Sequence, residues 1–420
     1  MARWRHAIIV GALAVGCLPG AAWASVELDV LLDKLVQKGV LTKQEASDLR
    51  SEMAEFKDAA NKQLATEIVP EHARNWQWKG DVRLRDEIRN RVGTGTDLHR
   101  QRIRFRYGVE GKVNNQLNVG FRIATGSTSD PISTNQSFNT SFNKKTLILD
   151  LAYLNYTPEV PGVSKLSVLG GIMENPLWTV GPMVWDGDLS WDGAAAKLAK
   201  ELGPVTLFSN NGVFSIDTEE TEPSSLWVTQ GGLSLKPFPD AADEFFKNLK
   251  MTAAVAYHDY KNVANSAKAG TDPSAQVSTN TALVQDFNQW NPNVEFSSKL
   301  AGYPLSVFGD WVRNVAAGSG SGNDGFLAGA KIGKATTPWS LTNGWEAGYF
   351  FERLEENAVF DEFADSDFGG SGTNRIGNVW WVTLATLKNS TLGVKYLDAH
   401  QLTGAKAGED RIQIDWVTKF

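Results

Sequence analysis

The chain has 420 residues, of which 42% are hydrophobic and 21% charged, and its formal net charge is −7. Mean hydropathy is −0.26, and only residues 7–24 approach the roughly 18 apolar residues that a membrane-spanning helix needs, which excludes a bundle of such helices. The single cysteine, Cys17, excludes a disulfide scaffold, and 20 Phe, 15 Trp and 8 Tyr exclude a low-complexity disordered chain.

The first 24 residues have the three parts of a signal peptide. A basic start precedes an apolar run over residues 7–18, and residues 22–24 (Ala-Trp-Ala) form a small-x-small cleavage site. We predict that residues 1–24 are removed on export, together with Cys17 and two basic residues, which lowers the net charge to −9. An alternative is a lipid-modified N-terminus at Cys17, although the residues before it fit that pattern weakly.

Residues 25–69 have helical periodicity. A first apolar stripe ends at Gly39, and the segment from Thr42 to Glu45 has the pattern of a capping box ahead of a second helix. Apolar residues in that second helix recur at spacings of three and four: Ala46, Leu49, Met53, Phe56 and Ala60. This narrow stripe predicts a coiled-coil-like periplasmic segment that oligomerises. A helical hairpin packed on its own chain remains an alternative, and residues 70–75 form the predicted linker.

From Trp76 onward the hydrophobic period changes from 3.6 to 2, which is typical of β-strands. About sixteen such segments follow in residues 76–420, starting near residues 76, 99, 116, 146, 163, 190, 204, 226, 248, 283, 303, 325, 340, 374, 391 and 409. Short connections alternate with long ones, and the long ones are 126–145, 174–189, 261–282 and 355–373. One rim with short turns and one with long loops predicts an all-β membrane protein, a 16-stranded antiparallel transmembrane β-barrel.

The last predicted strand is amphipathic and ends in an aromatic residue. Ile412, Ile414 and Trp416 share one face, and Phe420 ends the chain. Bacterial outer-membrane barrels present such a strand to the barrel assembly machinery. We therefore predict that these four residues form the assembly signal and that the protein lies in the bacterial outer membrane.

Four segments resemble the bacterial putative-porin family: residues 80–85 (GDVRLR), 99–106 (HRQRIRFR), 130–136 (DPISTNQ) and 185–188 (WDGD). The terminal Phe420 adds to this resemblance, which spans nearly the whole chain after the signal peptide. The resemblance implies a water-filled channel, a homotrimer and a short helical segment ahead of the first strand. It implies no ligand-binding residues.

The predicted lumen carries a basic wall and an acidic loop. Three consecutive strands would place six arginines side by side: Arg83, Arg85, Arg102, Arg104, Arg106 and Arg122. The connection between the fifth and sixth strands carries four acidic residues: Glu174, Asp186, Asp188 and Asp192. We predict that this third external loop folds inward and faces the arginines, so that a transverse field acts on water and charged solutes. The alternative is that the arginines pair with neighbouring carboxylates and only stiffen the wall.

The predicted function is passive diffusion of small hydrophilic solutes and ions. The arginines favour a weak anion preference, whereas the net charge of −9 favours cations. A solute-specific, anion-preferring channel and a structural or adhesive barrel that contacts the cell wall through its helical segment are the alternatives. Expected partners are outer-membrane lipid, lipopolysaccharide and the barrel assembly machinery, with no nucleic acid and no cofactor.

Metal and enzyme sites are not expected. Residues 186–192 have calcium-loop spacing but lack the required Gly and the closing Glu. The acidic stretch 361–367 is predicted to be a solvated loop, and binding of divalent cations, including those that bridge lipopolysaccharide, is the alternative. A hydrolase would need a nucleophile with a nearby base and orienting group. His258 with Asp259 is the candidate base with an orienting carboxylate, and no Gly-x-Ser-x-Gly motif precedes it.

Overall fold

The computed structural model describes residues 34, 36–38, 42–49, 51–52 and 76–420, except 94–95, 140, 219–222, 264–279, 281–286, 319, 321 and 405–406. The chain divides into two units, Met1–Asn75 and Trp76–Phe420. The predicted signal peptide, the linker and most of the helical segment 25–69 lie outside the described residues, so those domain assignments stay predictions.

Residues 43–49 are helical and follow the predicted capping box. Thr42 N donates to Glu45 Oε2 at 2.7 Å, and Glu45 N donates to Thr42 Oγ1 at 3.2 Å. These reciprocal hydrogen bonds satisfy backbone N–H groups that the start of a helix leaves without partners. Within the described part of the chain, no helix combines the length and apolar character needed to cross a membrane. Coiled-coil assembly of this segment stays a prediction.

Residues 76–420 form a closed antiparallel barrel of 16 spanning strands. The strands are β1 (Trp76–Val92), β2 (Leu98–Lys112), β3 (Leu117–Thr125), β5 (Leu147–Tyr156), β6 (Lys165–Met173), β7 (Trp191–Leu202), β8 (Val205–Asp217), β9 (Ser224–Leu235), β10 (Lys250–Lys261), β11 (Asn288–Leu300), β12 (Tyr303–Asn314), β13 (Asp324–Ala335), β14 (Gly344–Leu354), β15 (Arg375–Leu387), β16 (Ser390–Gln401) and β17 (Gly408–Lys419). A two-residue strand, β4 (Gln136–Ser137), lies between β3 and β5 and pairs with β2. Strand β1 pairs with both β2 and β17, which closes the sheet and confirms the predicted 16-stranded barrel.

The connections differ in length between the two ends of the barrel. One end has short turns such as 203–204, 301–302 and 388–389, and its longest connection contains a short helix, Glu244–Asn248, which the sequence analysis missed. The other end has the long connections 126–146, 174–190, 262–287 and 355–374. The alternation of short and long connections is therefore as predicted.

Side chains of β1 alternate between an apolar exterior and a charged interior. On β1, Trp78 and Leu84 are 56% and 44% exposed, whereas Arg85 and Glu87 are 5% and 0% exposed. This arrangement suits a bilayer, because a transmembrane barrel strand presents every second side chain to lipid.

Strand β17 repeats the pattern and closes the barrel beside the start of β1. Ile412, Ile414 and Trp416 lie on the exterior, as predicted for one shared face. Phe420 lies against the first strand, where Gly80 N donates to Phe420 O at 2.8 Å and Phe420 N donates to Gly80 O at 3.0 Å. Recognition of this strand by assembly machinery stays a prediction.

The interior contains an apolar core to which strands and two long connections both contribute. Side chains of 174–190 and 355–374 pack with inward side chains of the strands, and the buried set includes Leu177, Met183, Trp185, Val359, Phe360, Phe368, Phe214, Leu327 and Leu354. Both connections therefore fold into the barrel instead of extending away from its rim.

Candidate functional site

The six predicted wall arginines lie on the adjacent strands β1, β2 and β3. These arginines are Arg83, Arg85, Arg102, Arg104, Arg106 and Arg122. Their side chains share the inward face of the strands with buried carboxylates. In the register of β1 and β2, Arg83 lies opposite Arg104, and Arg85 lies opposite Arg102. The strand alternation that predicted these positions also brings their side chains together on one inner surface.

Inward carboxylates bind several of these arginines. Asp81 Oδ1 accepts a hydrogen bond from Arg104 Nε at 3.0 Å, and Asp81 Oδ2 accepts one from Arg106 Nε at 2.7 Å. Asp150 of β5 accepts a hydrogen bond from Arg122 Nε. The pairing that the sequence analysis left open as an alternative therefore occurs along this wall.

Glu87 is a second centre of charge pairing. Its side chain is fully buried, and its carboxylate oxygens lie 2.6 Å from Arg100 Nη2 and 3.7 Å from Arg102 Nη1. Arg85 directs Nε and Nη2 to the two oxygens of Asp415 at 2.7 and 2.8 Å. Sequence reasoning did not assign these carboxylates to the site, although Glu87 shares the odd positions of β1 with the arginines.

The connection 174–190 crosses the interior toward the opposite wall. Trp178 N donates to Gln230 Oε1 of β9 at 2.9 Å, and Gln230 Nε2 donates back to Trp178 O at 2.9 Å. Val180 N donates to Asn293 Oδ1 of β11 at 3.2 Å. These two amide side chains anchor the connection and were missed from sequence, where only their polar character at inward positions could have indicated them.

Two of the four acidic residues predicted in this connection form ion pairs with the wall arginines. Asp188 Oδ1 lies 3.5 Å from Arg104 Nη1 and 3.7 Å from Arg106 Nη1. Glu174 Oε1 lies 2.6 Å from Arg122 Nη1. The connection thus contacts the wall of β1–β3 near both of its ends.

The other two predicted acids lie elsewhere. Asp192 was expected in the connection, but it is an exposed residue of β7 on the face opposite the buried Trp191, because the strand already begins at Trp191. Asp186 faces the second inward connection: its N donates to Phe363 O at 2.8 Å, and its Oδ2 accepts a hydrogen bond from Ser366 N at 2.8 Å. These two placements correct the expectation of a single row of acids facing the arginines.

The second inward connection, 355–374, corrects the prediction of a solvated acidic loop. Phe360 is 2% exposed, and its burial in the apolar core draws the connection into the barrel. Its carboxylates are drawn in as well, and Asp367 lies 3.1 Å from Arg85 Nη1 and 2.8 Å from Arg411 Nη1. The basic wall is therefore neutralised in part by a connection that sequence reasoning left outside.

Two carboxyls of the connection 174–190 have opposite environments. Burial, with a further contribution from Asp365, raises the pKa of Asp186 to about 7. Burial also opposes ionisation of Asp188, but the guanidinium groups of Arg104 and Arg83 outweigh it and hold the pKa of Asp188 below its usual value. Of these two carboxyls, Asp188 is therefore the more fully ionised near neutral pH.

We expect the contact between the two inward connections to weaken as pH rises through about 7. The pKa of Asp186 is higher in the folded barrel than its ordinary value, so stability from this group is complete below that ordinary value and is lost as pH rises toward the folded one. Hydrogen–deuterium exchange of residues 355–374, corrected for the intrinsic pH dependence of exchange, should show more local opening at about pH 8 than at about pH 5, and Asp186→Asn should reduce the difference. Equal opening of the wild-type protein at both pH values would contradict this expectation.

The residues considered for a hydrolase point to different surfaces. His258 is fully buried in the interior, with its Nδ1 3.1 Å from Gln289 Oε1. Asp259 is the next residue of β10 and lies on the other face, where its Oδ1 is 2.8 Å from Lys261 Nζ. The adjacent residues therefore do not form a base with its orienting carboxylate.

A family model described as a putative porin matches residues 87–297 and 310–420. No curated protein matches the sequence. Among solved structures, the high-pH structure of Pseudomonas putida OprB is similar at 11% identity and a TM-score of 0.53, over 82% of this chain and 94% of that chain. Salmonella typhi OmpF in complex with daunomycin aligns at 11% identity and a TM-score of 0.47, over 84% of this chain and 99% of that chain. The outer membrane channel DcaP of Acinetobacter baumannii aligns at 15% identity and a TM-score of 0.46, over 82% of this chain and 97% of that chain.

The likeness to OprB shows a shared fold, and the family match covers most of the barrel strands. The chain therefore belongs to the putative-porin family.

Proposed function

We propose that the protein is an outer-membrane porin, a water-filled channel through which small hydrophilic solutes and ions diffuse passively. The observation that carries this proposal is a closed 16-stranded barrel with an apolar exterior and a charged interior. Membership in the putative-porin family supports a channel in preference to an enzyme.

In this proposal the connection 174–190 forms the constriction of the channel. Its Asp188 lies 3.5 Å from Arg104 and 3.7 Å from Arg106, which holds the connection against the arginine wall. The charges of the wall that these contacts leave uncompensated orient water and dipolar solutes in the narrowed lumen. Because Asp81 binds both of these arginines, the field is weaker than six unpaired arginines would produce. Such a wall supports passage of ions of both signs with a weak anion preference.

The proposed surroundings follow from the two faces of the barrel. The apolar exterior supports contact with outer-membrane lipid and lipopolysaccharide, and the amphipathic β17 with its terminal Phe420 supports recognition by the barrel assembly machinery. Export by the signal peptide and a homotrimeric assembly complete the proposal, whereas contact of the helical segment 25–69 with the cell wall belongs to the structural or adhesive alternative.

The function is tested by planar-bilayer recording with purified protein whose folded barrel has been verified by circular dichroism. We expect stepwise conductance increments that are linear in voltage and that rise with KCl concentration without saturation. Saturation at a low concentration of one ion would favour the solute-specific channel instead. A correctly folded barrel that never conducts would contradict the porin proposal and favour the structural or adhesive alternative.

A further inference from the structure

Most arginines of β1, β2 and β3 direct the Nε atom of the guanidinium to a carboxylate. This holds for seven arginines: Arg85, Arg89, Arg91, Arg100, Arg104, Arg106 and Arg122. Arg83 and Arg102 are the two exceptions on these strands. Their Nε atoms are buried and have no hydrogen-bond partner among the residues that the structure describes.

The neighbouring Nη2 atoms of the two exceptions are held by neutral oxygens of one turn, residues 133–135. Arg83 Nη2 donates to Asn135 Oδ1 at 2.5 Å, and Arg102 Nη2 donates to Ser133 Oγ at 3.3 Å. The Nε and Nη2 donors of a guanidinium form the edge that binds a carboxylate through two parallel hydrogen bonds. Each of these two edges is therefore half occupied by a neutral group and half unsatisfied.

The positive charge of this pair is less compensated than that of its neighbours. Among the described residues, no carboxylate oxygen lies within 4 Å of a nitrogen of Arg83. The carboxylate nearest to Arg102 is Glu87 at 3.7 Å, and Glu87 lies closer to Arg100, at 2.6 Å. A buried guanidinium without a paired carboxylate attracts an anion more strongly than one whose charge is already neutralised.

The same turn is fastened to the proposed constriction. Thr134 N and Thr134 Oγ1 donate to Asp188 Oδ2 at 3.2 and 2.9 Å. Strand β4, which follows the turn, pairs with β2 so that Ser137 lies opposite Arg102. The two half-filled edges therefore lie beside the residues that narrow the proposed channel.

We propose that Arg83 and Arg102 bind the carboxylate groups of anionic solutes, and that the turn 133–135 is the neutral internal ligand which such a carboxylate displaces. A carboxylate at Arg83 would replace Asn135 Oδ1, engage both Nε and Nη2, and bring the opposite charge that the amide lacks. Return of the amide oxygen assists release of the solute, and passage requires binding that is weak enough to reverse. This inference rests on the proposed channel function and identifies its substrate class.

Malonate, with two carboxylates, is the probe for the test. Isothermal titration of malonate into the folded protein in detergent measures binding, and block of the KCl current in a bilayer measures binding in the pathway. We expect Arg83→Gln to weaken the binding of malonate about tenfold or more, because charge-assisted hydrogen bonds are lost. Asn135→Ala should strengthen the binding of malonate, because it removes the amide oxygen that competes for Arg83.

Arg91→Gln is the matched control, since it removes one positive charge from the same strand. The carboxylate partner of Arg91, Glu409, remains bound to Arg89 and Arg411, so malonate binding should stay near that of the wild-type protein. Arg83→Lys keeps the positive charge but lacks the two-donor edge of the guanidinium. Its affinity for malonate should therefore remain low. Wild-type affinity in Arg83→Lys, or equal losses in Arg83→Gln and Arg91→Gln, would overturn the assignment.

The two readouts separate this inference from the function on which it rests. A protein that conducts KCl but binds malonate without dependence on Arg83 would overturn the binding site and leave the porin proposal intact. A folded protein that binds malonate through Arg83 but never conducts would support the site and contradict the channel.

Discussion

Shortening the connection 174–190 should raise the single-channel conductance about twofold or more, because this connection crosses the interior and narrows the proposed channel. The variant replaces residues 177–185 with a short Gly-Ser link and so removes the hydrogen bonds of Trp178 to Gln230 and of Val180 to Asn293. Planar-bilayer recording in KCl measures the change. Circular dichroism and heat-resistant migration in gels establish that the barrel is still folded.

The control for this variant shortens the turn 157–164, which connects β5 and β6 at the opposite end of the barrel. Its conductance should equal that of the wild-type protein, because the turn lies outside the interior core. An unchanged conductance in the folded variant that lacks residues 177–185 would show that the connection does not limit ion flow.

Replacing Glu87 with Ala should lower the free energy of unfolding by about 3–5 kcal/mol, the largest stability effect expected on the wall. Glu87 is fully buried and lies within 4.0 Å of Arg85, Arg100 and Arg102, so its loss leaves three guanidinium groups without this shared anion. Urea unfolding of the barrel in lipid vesicles, followed by tryptophan fluorescence, measures the change.

Glu110→Ala is the matched control for Glu87→Ala. Glu110 also pairs with a basic residue of β1, Lys79, but both side chains are more than half exposed. Exposed ion pairs contribute about 1 kcal/mol or less, so this variant should unfold near the wild-type urea concentration. Equal shifts in the two variants would indicate that the buried charge cluster is not what stabilises the wall.

The fold was largely predictable because a barrel strand must alternate between lipid and lumen along its whole length. The alternation placed most strand starts within a few residues of their positions in the structure, and it gave the strand count. The largest displacements occur at β11, predicted near 283 and found at Asn288, and at β14, predicted near 340 and found at Gly344. Both strands follow connections that contain apolar residues, Leu283 and Val284 before β11 and Leu341 before β14, and these residues extended the predicted strands beyond their true starts.

The inward positions of the arginines could be predicted from sequence, whereas most of the carboxylates that pair with them could not. Sequence position shows that Arg85 faces inward, but Asp415 reaches it only because the barrel closes by pairing β1 with β17. Likewise, Asp367 reaches Arg85 only because the connection 355–374 folds into the barrel. Contacts between residues so far apart in the chain depend on closure and loop packing, which a local pattern does not contain.

One available signal was overlooked in that connection. Phe360, Phe363 and Phe368 make its sequence unusually aromatic for an external loop of a barrel. An acidic segment with three phenylalanines is better explained by burial of the rings, with the carboxylates carried in toward arginines, than by exposure of all of them. Composition within a loop therefore indicates which loops enter a barrel.

The most direct test of the proposed pathway uses a single cysteine beside the wall, since Cys17 is the only cysteine and residues 76–420 contain none. In Asn135→Cys the new thiol lies in the turn at Arg83, and in Val255→Cys it lies on the exterior of β10. A methanethiosulfonate reagent bearing a sulfonate should lower the conductance of Asn135→Cys and leave that of Val255→Cys unchanged. Complete modification of Asn135→Cys, verified by mass spectrometry, with no change in conductance would contradict a pathway along the arginine wall.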